Sequence, residues 1–314
     1  MTPDPIVATS FPLPDEALAL LREVGTVAGP DGWREALGEA QALLCLLTDR
    51  VDAALLERAP RLRVVANAVV GYEHVDLAAC RARGIVVTNT PDVLTGATAD
   101  LAWALILAAV RRLPQAERSL RAGEFHGWGF WDYLGGDLEG RTLGIFGMGR
   151  IGRAVARRAA GFGMRVVYHS RTALSADDER ALGAERVDFD GLLARSDVLA
   201  LHAPVTPETR HAFGRDALRR MRPGSVLINT ARGALVDEAA LVDALRDGPL
   251  AAAGLDVYEQ EPAVHPGLLE LPNVVLLPHI GSATRGTRTG MAMLAARNVH
   301  AVLSGRAALT AVEG

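Results

Sequence analysis

The sequence predicts an α/β protein built from two doubly wound domains. Short apolar runs alternate with amphipathic helical stretches through most of the 314 residues. A chain of that length suggests two domains, at roughly 150 residues each. The apolar runs are continuous rather than alternating with polar residues, which is typical of strands buried on both faces of a parallel sheet.

A first series of strands and helices occupies the first third of the chain. Amphipathic stretches such as 15–24 and 74–83 lie between its strands. The strands are predicted at 6–9, 42–47, 62–67 and 85–89. A long helix is predicted at 98–113, and we expect it to end at Pro114 because proline cannot continue a helix.

A second series of strands begins at Arg141 and contains the remaining helices. Strands that alternate with helices indicate a parallel sheet with crossover helices, as in a doubly wound nucleotide-binding domain. These strands are predicted at 142–147, 165–170, 198–203, 226–231, 252–257 and 274–279. A last helix is predicted at 285–305 with no strand after it.

Composition and charge argue against several classes of protein. Apolar residues make up 49% of the chain, too many for a disordered protein, and the net charge of -4 favours neither nucleic acid nor an anionic membrane as a partner. The chain has 33 basic residues and no lysine, so arginine has to bind any phosphate or carboxylate. Cys45 and Cys80 lack a CxxC partner and nearby histidines, which predicts buried thiols in a reducing compartment and no metal site.

The sequence predicts neither a secretory signal nor a membrane span. The N-terminus has no basic segment followed by an apolar one. The longest apolar run, at 101–110, is too short to cross a bilayer and is typical of a buried helix. We therefore expect a cytoplasmic protein.

The stretch GMGRIG at 147–152 has the spacing of a dinucleotide-binding turn, with a strand before it and an amphipathic helix after it. Gly147 would permit the tight turn, Gly149 the close approach of a pyrophosphate, and Gly152 the packing of helix against strand. The phosphates would lie at the helix N-terminus, at Arg150 and Ile151, where free N–H groups and the helix dipole favour anions.

The residues after the next strand bear on which dinucleotide is bound. That strand usually ends in an acidic residue that binds the ribose 2′-hydroxyl of NAD. Ser170, Arg171 and Thr172 stand there instead, and a guanidinium with two hydroxyls can bind a 2′-phosphate. We predict that NADP(H) is preferred. The alternative is that Arg171 is a solvated loop charge and that NAD(H) is accepted as well.

Three side chains follow successive strands of the second series. They are Arg232 in INTARGALVDE, Glu261 in GLDVYEQEP and His279 in LLPHIGSAT. Open α/β sheets place their sites at the carboxyl ends of their strands. The three residues are therefore expected to form a catalytic site beside the dinucleotide.

Five phrases resemble the D-isomer-specific 2-hydroxyacid dehydrogenase family. They occur in the family's order and cover most of the chain. The phrases are VVGYEHVDLAACRARGIVVTNTPDVLTGATAD (69–100), LHAPVTPETRH (201–211), NTARGALVDEAAL (229–241), AAGLDVYEQEP (252–262) and NVVLLPHIGSAT (273–284). GWGFW (127–131) and YHSRT (168–172) most resemble the glyoxylate/hydroxypyruvate reductase branch.

The resemblance implies the NAD(P)H-dependent reduction of a small 2-oxo acid, glyoxylate or hydroxypyruvate, to the D-2-hydroxy acid. His279 would give a proton to the carbonyl oxygen, and Glu261 would orient its ring and favour its charged form. Arg232 would hold the substrate carboxylate and polarise the carbonyl. The backbone N–H groups of Val70 and Gly71 would bind the same carboxylate.

The resemblance also assigns further residues to the cofactor and the substrate. Asp256 would contact the nicotinamide amide; the alternative is a residue that forms a turn at the strand end. Trp131 would reach the substrate site of a partner subunit; the alternative is an aromatic of the core or of a dimer arm. The other residues assigned to the cofactor are Thr98, Ala203, Pro204, Thr209, Thr230, Ala231, His279 and Gly281.

The family's architecture implies a flavodoxin-like substrate domain and a Rossmann nucleotide-binding domain. The substrate domain would contain residues 1–96, with 282–314 returning to it, and the nucleotide domain would contain residues 97–281. Closure of the cleft between them would exclude water. A homodimer is expected, with the region 98–135 as its arm.

Other functions remain open within and outside this class. A broad 2-ketoacid reductase, a 3-phosphoglycerate dehydrogenase or a phosphite dehydrogenase would share these motifs. The family's formate dehydrogenases carry glutamine where Glu261 stands, which argues against formate oxidation. An NAD(H)-sensing corepressor of the related C-terminal-binding type would be expected to carry an acidic residue after the second strand, and Ser170 to Thr172 contain none.

Overall fold

The computed structural model describes residues 4–312, which form two compact units. One unit contains the chain up to Leu94 and the chain from Ser282 onward, and the other runs from Thr95 to Gly281. Each unit has its own sheet and its own buried core.

Strands and helices alternate along the chain, and paired strands run parallel. The strands are β1 (Ile6–Thr9), β2 (Thr26–Ala28), β3 (Ala40–Cys45), β4 (Val64–Asn67), β5 (Val86–Thr88), β6 (Thr142–Phe146), β7 (Arg165–His169), β8 (Ala184–Arg186), β9 (Val198–Leu201), β10 (Ser225–Asn229), β11 (Leu250–Leu255) and β12 (Val274–Leu276). The helices are α1 (Asp15–Arg22), α2 (Trp33–Ala36), α3 (Ala53–Glu57), α4 (Leu77–Ala82), α5 (Thr95–Val110), α6 (Leu113–Arg121), α7 (Arg150–Ala159), α8 (Ala176–Leu182), α9 (Phe189–Arg195), α10 (Arg215–Arg219), α11 (Glu238–Arg246), α12 (Pro266–Leu269) and α13 (Arg285–Leu303).

The first unit has a five-stranded sheet in the order β2-β1-β3-β4-β5, which is the flavodoxin-like order. Helix α13 completes its core although it comes from the far end of the chain. Ala295 and Val299 of this helix pack with Val7 and Val64 of the sheet in one buried cluster. The first unit is therefore discontinuous in sequence.

The second unit has a seven-stranded sheet in the order β12-β11-β10-β9-β6-β7-β8. Counted from β6, this is the Rossmann order 3-2-1-4-5-6 with a seventh strand added at the edge. Helices cover both faces, since Trp103 of α5 and Val155 of α7 belong to one buried cluster while Leu218 of α10 and Leu241 of α11 belong to another. The two sheets confirm the predicted α/β class and doubly wound architecture.

Two strands were not predicted from the sequence, and both lie at the edge of a sheet. β2 has the sequence TVA and β8 has the sequence AER, each only three residues long. Edge strands face solvent on one side, so they need no continuous apolar run. Both are therefore difficult to distinguish from loops by apolar pattern alone.

The helix predicted at 98–113 is corrected to two helices. Helix α5 ends at Val110, and Arg112 takes a left-handed conformation with a φ of 55° before α6 begins. Pro114 lies in the first turn of α6, where a missing N–H is tolerated, so it begins a helix rather than ending one.

No helix within residues 4–312 is both long and apolar enough to cross a membrane.

Cys45 and Cys80 are buried, and neither forms a disulfide bond. Burial raises the pKa of both thiols, that of Cys80 to about 11. Both are therefore neutral at physiological pH and belong to the apolar core of the first unit.

Substitution of a core leucine tests the placement of β9. Leu199 is 0% exposed, and Leu199→Ala is expected to lower the free energy of unfolding by about 3 kcal/mol because it leaves a cavity. The control is Leu269→Ala, at a side chain that is 63% exposed; it should change the free energy by less than about 0.5 kcal/mol. Urea unfolding followed by circular dichroism measures both, and equal losses would contradict the burial of Leu199.

Candidate active site

The glycine turn lies directly between β6 and α7. Gly147 has a φ of +97°, and a Cβ atom there would lie 2.5 Å from the Ala203 nitrogen. A Cβ on Gly152 would lie 2.2 Å from the Gly147 carbonyl oxygen, so the helix packs closely on the turn. A Cβ on Gly149 would meet no described atom within 4 Å. Gly147 and Gly152 thus leave no room for a Cβ atom, whereas Gly149 has open space beside it, and a dinucleotide-binding turn requires both features.

Helix α7 begins at Arg150, with Ile151 in its first turn. The first N–H groups of an α-helix have no acceptor within the helix, and they form the positive end of its dipole. Gly149, which precedes the helix, has room beside it for a ligand. The turn and the helix start therefore fit the pyrophosphate of NAD(P).

Ser170, Arg171 and Thr172 follow β7 at the same edge of the sheet. Ser170 Oγ donates to the Thr172 carbonyl oxygen at 2.5 Å, while Arg171 is exposed. Hydrogen bonds from the Thr206 hydroxyl and from its own backbone lower the pKa of Glu208, and the charge of Arg171 adds to this. The charge of Arg171 thus acts on Glu208, in the loop after β9.

Arg186 lies beside the segment that follows β7, and it was not among the site residues predicted from the sequence. Its Nη2 donates to the carbonyl oxygens of Ser170 and Arg171, at 3.1 and 3.2 Å. Arg186 is the last residue of β8, the edge strand that its apolar pattern does not predict. A second guanidinium therefore supports the backbone that carries Arg171.

The loop after β9 lies beside the glycine turn. Ala203 is buried against Gly147, and Pro204 and Thr209 are joined because Thr209 Oγ1 donates to the Pro204 carbonyl oxygen at 2.8 Å. Thr209 Oγ1 also accepts from the Thr206 N–H at 2.7 Å. The three residues assigned to the cofactor from sequence thus form one ordered turn.

Arg232 follows β10 in a turn held by the buried Asn229. Asn229 Nδ2 donates to the Arg232 carbonyl oxygen at 2.8 Å, and its Oδ1 accepts from the Ala231 N–H at 3.0 Å. The hydroxyl of Thr230 is buried and has no hydrogen-bond partner among residues 4–312.

His279 follows β12 in a left-handed backbone conformation, with a φ of 53°. The two carboxylate oxygens of the buried Asp256 accept from the N–H groups of Ile280 and Gly281, at 2.7 and 2.8 Å. Thr98 Oγ1 donates to the Gly281 carbonyl oxygen at 3.3 Å. Asp256 and Thr98 therefore hold the segment that carries His279.

His279 and Glu261 form a hydrogen-bonded pair. The distance from His279 Nδ1 to Glu261 Oε2 is 2.8 Å, and Glu261 Oε1 accepts from the Tyr258 N–H at 3.0 Å. Burial raises the pKa of Glu261, while the hydrogen bonds from His279 and Tyr258 lower it. The charges of His279 and Arg232 act in the same direction, so the pKa lies below its usual value.

The remaining predicted residues lie in two other segments. Val70 and Gly71 belong to the first unit and follow β4. Trp131 is 75% exposed and lies near Trp128 and Phe130, which are 81% and 67% exposed. The ring of Trp131 packs edge-on against that of Phe130, with centroids 4.8 Å apart.

The carboxyl edge of the second sheet thus brings together a dinucleotide turn, an arginine and a histidine–glutamate pair. The sequence model of the D-isomer specific 2-hydroxyacid dehydrogenase NAD binding domain matches residues 103–281, which contain all of them. The chain belongs to the D-isomer specific 2-hydroxyacid dehydrogenase family. The family resemblance predicted from the sequence is thereby confirmed.

Several known proteins are similar to this dehydrogenase in sequence or in fold. It is 51% identical to a glyoxylate reductase of Thermococcus litoralis over 275 residues, which are 86% of this chain and 83% of that one. Its fold matches the TT0316 protein of Thermus thermophilus with a TM-score of 0.92 and 46% identity, over 98% of this chain and 100% of that one. An NADPH-dependent glyoxylate/hydroxypyruvate reductase of Sinorhizobium meliloti, solved with NADP and malonate, matches with a TM-score of 0.88 and 39% identity, over 98% and 97% of the two chains. The chain is thus an NAD(P)-dependent 2-hydroxyacid dehydrogenase, as predicted.

Two alanine substitutions separate the roles of the glycines. Gly149→Ala should weaken NADPH binding at least tenfold, because a methyl group would fill the open space beside Gly149, where we predict the pyrophosphate. It should change Tm by less than about 2 °C. Gly152→Ala should lower Tm by several degrees because its Cβ overlaps a carbonyl oxygen. Fluorescence titration and thermal unfolding measure the two effects.

The control for both variants is Gly161→Ala. A Cβ at Gly161 would also meet no described atom within 4 Å, but this residue follows the far end of α7. It should change neither the Kd of NADPH nor Tm. Wild-type affinity in Gly149→Ala would place the pyrophosphate elsewhere.

Proposed function

We propose that this dehydrogenase reduces glyoxylate or hydroxypyruvate to the 2-hydroxy acid, of D configuration where the product is chiral, with NADPH as the preferred cofactor. The observation that carries this proposal is the His279–Glu261 pair, with Nδ1 and Oε2 2.8 Å apart. The names of the relatives in Thermococcus litoralis and Sinorhizobium meliloti support the choice of substrate.

The cofactor would be held by the glycine turn and by the loops after β7 and β9. NAD(P)H, when bound, supplies the hydride that the substrate carbonyl carbon accepts. Gly147, Gly149 and Gly152 let the phosphates approach the start of α7. Thr230 and Ala231, which follow β10, would also contact the cofactor.

His279 would donate the proton that the carbonyl oxygen needs. Its Nδ1 is bonded to Glu261, so Nε2 is the ring atom left to reach the substrate. The pKa of Glu261 lies below its usual value, so this carboxylate is charged at neutral pH and can accept a hydrogen bond from the Nδ1–H of His279. Donation by a positioned acid typically accelerates such a step by 10²–10⁴-fold.

Arg232 would bind the substrate carboxylate and polarise its carbonyl group. The buried Asn229 bonds to the backbone of Ala231 and Arg232, so the position from which the Arg232 side chain extends is fixed. Val70 and Gly71 would add their N–H groups to the same carboxylate. A 2-oxo acid held in this way has its carbonyl oxygen available to His279.

The preference for NADPH is supported by charge at the end of β7. Arg171 is exposed there, and Arg186 donates to the carbonyl oxygens of Ser170 and Arg171. None of the three residues after β7 is acidic, so nothing in this segment repels a 2′-phosphate.

The assembly and the location of the enzyme belong to the same proposal. We expect a homodimer, with the exposed aromatic rings at 125–134 covered by a partner and with Trp131 directed to the partner's substrate site. Residues 1–96 and 282–314 would form the substrate domain, and residues 97–281 the cofactor domain. The neutral, unpaired thiols of Cys45 and Cys80 suit the cytoplasm.

Steady-state assays of wild-type enzyme and His279→Ala test the proposed function. The wild-type enzyme should reduce glyoxylate and hydroxypyruvate, and His279→Ala should lose at least about 100-fold in kcat, since its proton donor is gone. The Kd for NADPH should stay within about threefold, because the cofactor turn is unchanged. No turnover of any small 2-oxo acid with either cofactor would refute the reductase activity.

The control for the loss of a histidine is His300→Ala. His300 lies on the last turn of α13, and its ring bonds to Glu23 and Arg306. This variant should keep wild-type kcat. Full activity of His279→Ala would refute the role of His279 as proton donor, even if the enzyme is a reductase.

Arg171→Ala tests the proposed 2′-phosphate site. This change should raise the KM for NADPH roughly tenfold or more and the KM for NADH by less than about twofold, because NADH lacks the phosphate. Arg157→Ala, at an exposed position toward the C-terminal end of α7, is the control for a lost positive charge. Equal changes of KM for both cofactors would show that Arg171 does not bind the 2′-phosphate.

A further inference from the structure

The segment Val69–Gly71 has its carbonyl oxygens fixed by two asparagine side chains. Asn67 Nδ2 donates to the Gly71 oxygen at 2.6 Å and lies 3.4 Å from the Val69 oxygen. Asn89 Nδ2 donates to the Val70 oxygen at 2.8 Å. The Thr90 N–H donates to the Val69 oxygen at 3.1 Å. The carbonyl oxygens of three consecutive residues are thus bound.

A bound carbonyl also fixes the N–H group of the next residue. A trans peptide unit is planar, and its C=O and N–H bonds point in opposite directions. The bonds to the Val69 oxygen therefore orient the Val70 N–H, and the bond from Asn89 to the Val70 oxygen orients the Gly71 N–H. Neither N–H group bonds to another group within residues 4–312.

Both asparagines lie at the carboxyl edge of the first sheet. Asn67 ends β4 and is completely buried, and Asn89 follows the neighbouring strand β5. The Asn89 N–H donates to the Thr310 carbonyl oxygen at 3.3 Å, and the Asn89 carbonyl oxygen accepts from Thr310 Oγ1 at 2.6 Å. The backbone of Asn89 is therefore held on both sides by Thr310.

The segment contains no side chain that could bind an anion. Its sequence is VVG, followed by Tyr72 and Glu73, so only main-chain N–H groups can favour a carboxylate there. A carbonyl oxygen turned toward the ligand would repel it. The orientation of two peptide units then decides whether this segment attracts or repels the substrate.

We propose that Asn89 is a positioning residue for substrate binding, which through the Val70 oxygen presents the Gly71 N–H group to the carboxylate of the 2-oxo acid. Asn67 supports it, because Asn67 and the Thr90 N–H orient the Val70 N–H group through the Val69 oxygen. This inference rests on the proposed function, since it takes the substrate and the role of these N–H groups from there. Neither asparagine touches the substrate; each acts through a carbonyl oxygen.

The test is the binding of oxalate, a planar dianion that cannot be reduced, to the enzyme loaded with NADP⁺. Asn89→Ala should raise the Kd of oxalate and the KM of glyoxylate at least about tenfold, because the peptide unit that ends at Gly71 is released. The Kd of NADPH, which the second unit binds, should change by less than about twofold. Tryptophan fluorescence and isothermal calorimetry can measure both ligands on the full chain.

The matched control is Asp52→Ala. Asp52 also anchors backbone in the first unit, because its Oδ1 accepts from the Leu55 N–H at 3.0 Å at the start of α3. Its loss should lower Tm by a few degrees without a change in oxalate affinity. Asn67→Ala provides a second variant, which is the more disruptive of the two because Asn67 is completely buried. If Asn67→Ala does not fold, the oxalate affinity of Asn89→Ala tests the positioning role.

The outcomes separate this inference from the function on which it rests. Wild-type affinity for oxalate in Asn89→Ala, in an enzyme that reduces glyoxylate, would overturn the positioning role alone. An equal loss of affinity in Asp52→Ala would also overturn it, since general destabilisation would explain both. A wild-type enzyme that reduces no 2-oxo acid would overturn the proposed function and this inference together.

Discussion

The carboxylate of Asp256 holds the segment on which the geometry of the site depends. His279 has a φ of 53°, a conformation that costs a non-glycine residue roughly 1–2 kcal/mol. Asp256 accepts from the N–H groups of Ile280 and Gly281, and bonds to a charged acceptor contribute about 1.5–3 kcal/mol each. These two bonds offset the strain, and they keep the His279 ring where Glu261 can bond to it.

In both units, asparagine side chains at strand ends hold the backbone of neighbouring loops. Asn229 in the second unit and Asn67 and Asn89 in the first each bond to main-chain atoms of the loop that follows or faces them. An amide side chain can replace main-chain hydrogen bonds that a loop lacks. Loops that carry proposed ligand-binding groups are thereby ordered before a ligand arrives.

Much of the architecture could be predicted because it depends on strong local signals. Continuous apolar runs marked ten of the twelve strands, and the spacing of Gly147, Gly149 and Gly152 marked the turn. The expectation that Glu261 and His279 lie at one site followed from their positions after neighbouring strands of a parallel sheet. Each of these expectations used only the order of residues and the rule that parallel strands end at one edge.

Other features depend on contacts that no local pattern records. β2 and β8 are short edge strands whose pairing partners lie elsewhere in the chain, and Arg186 reaches the β7 loop only because β8 pairs with β7. Nothing about His279 in the sequence indicates a left-handed backbone, since it is not a glycine. Pro114 permits either the end or the start of a helix, and the conformation of Arg112 decides which.

The discontinuity of the first unit has a consequence for the order in which the chain acquires its structure during synthesis. Val7 and Val64 leave the ribosome early, yet the cluster that buries them also contains Ala295 and Val299. The continuous unit from Thr95 to Gly281 contains all of its own strands and can complete its core before the last helix is made. Val7 and Val64 are thus translated long before the helix that completes their cover, and a nascent chain that stops before α13 leaves an apolar sheet face exposed to aggregation.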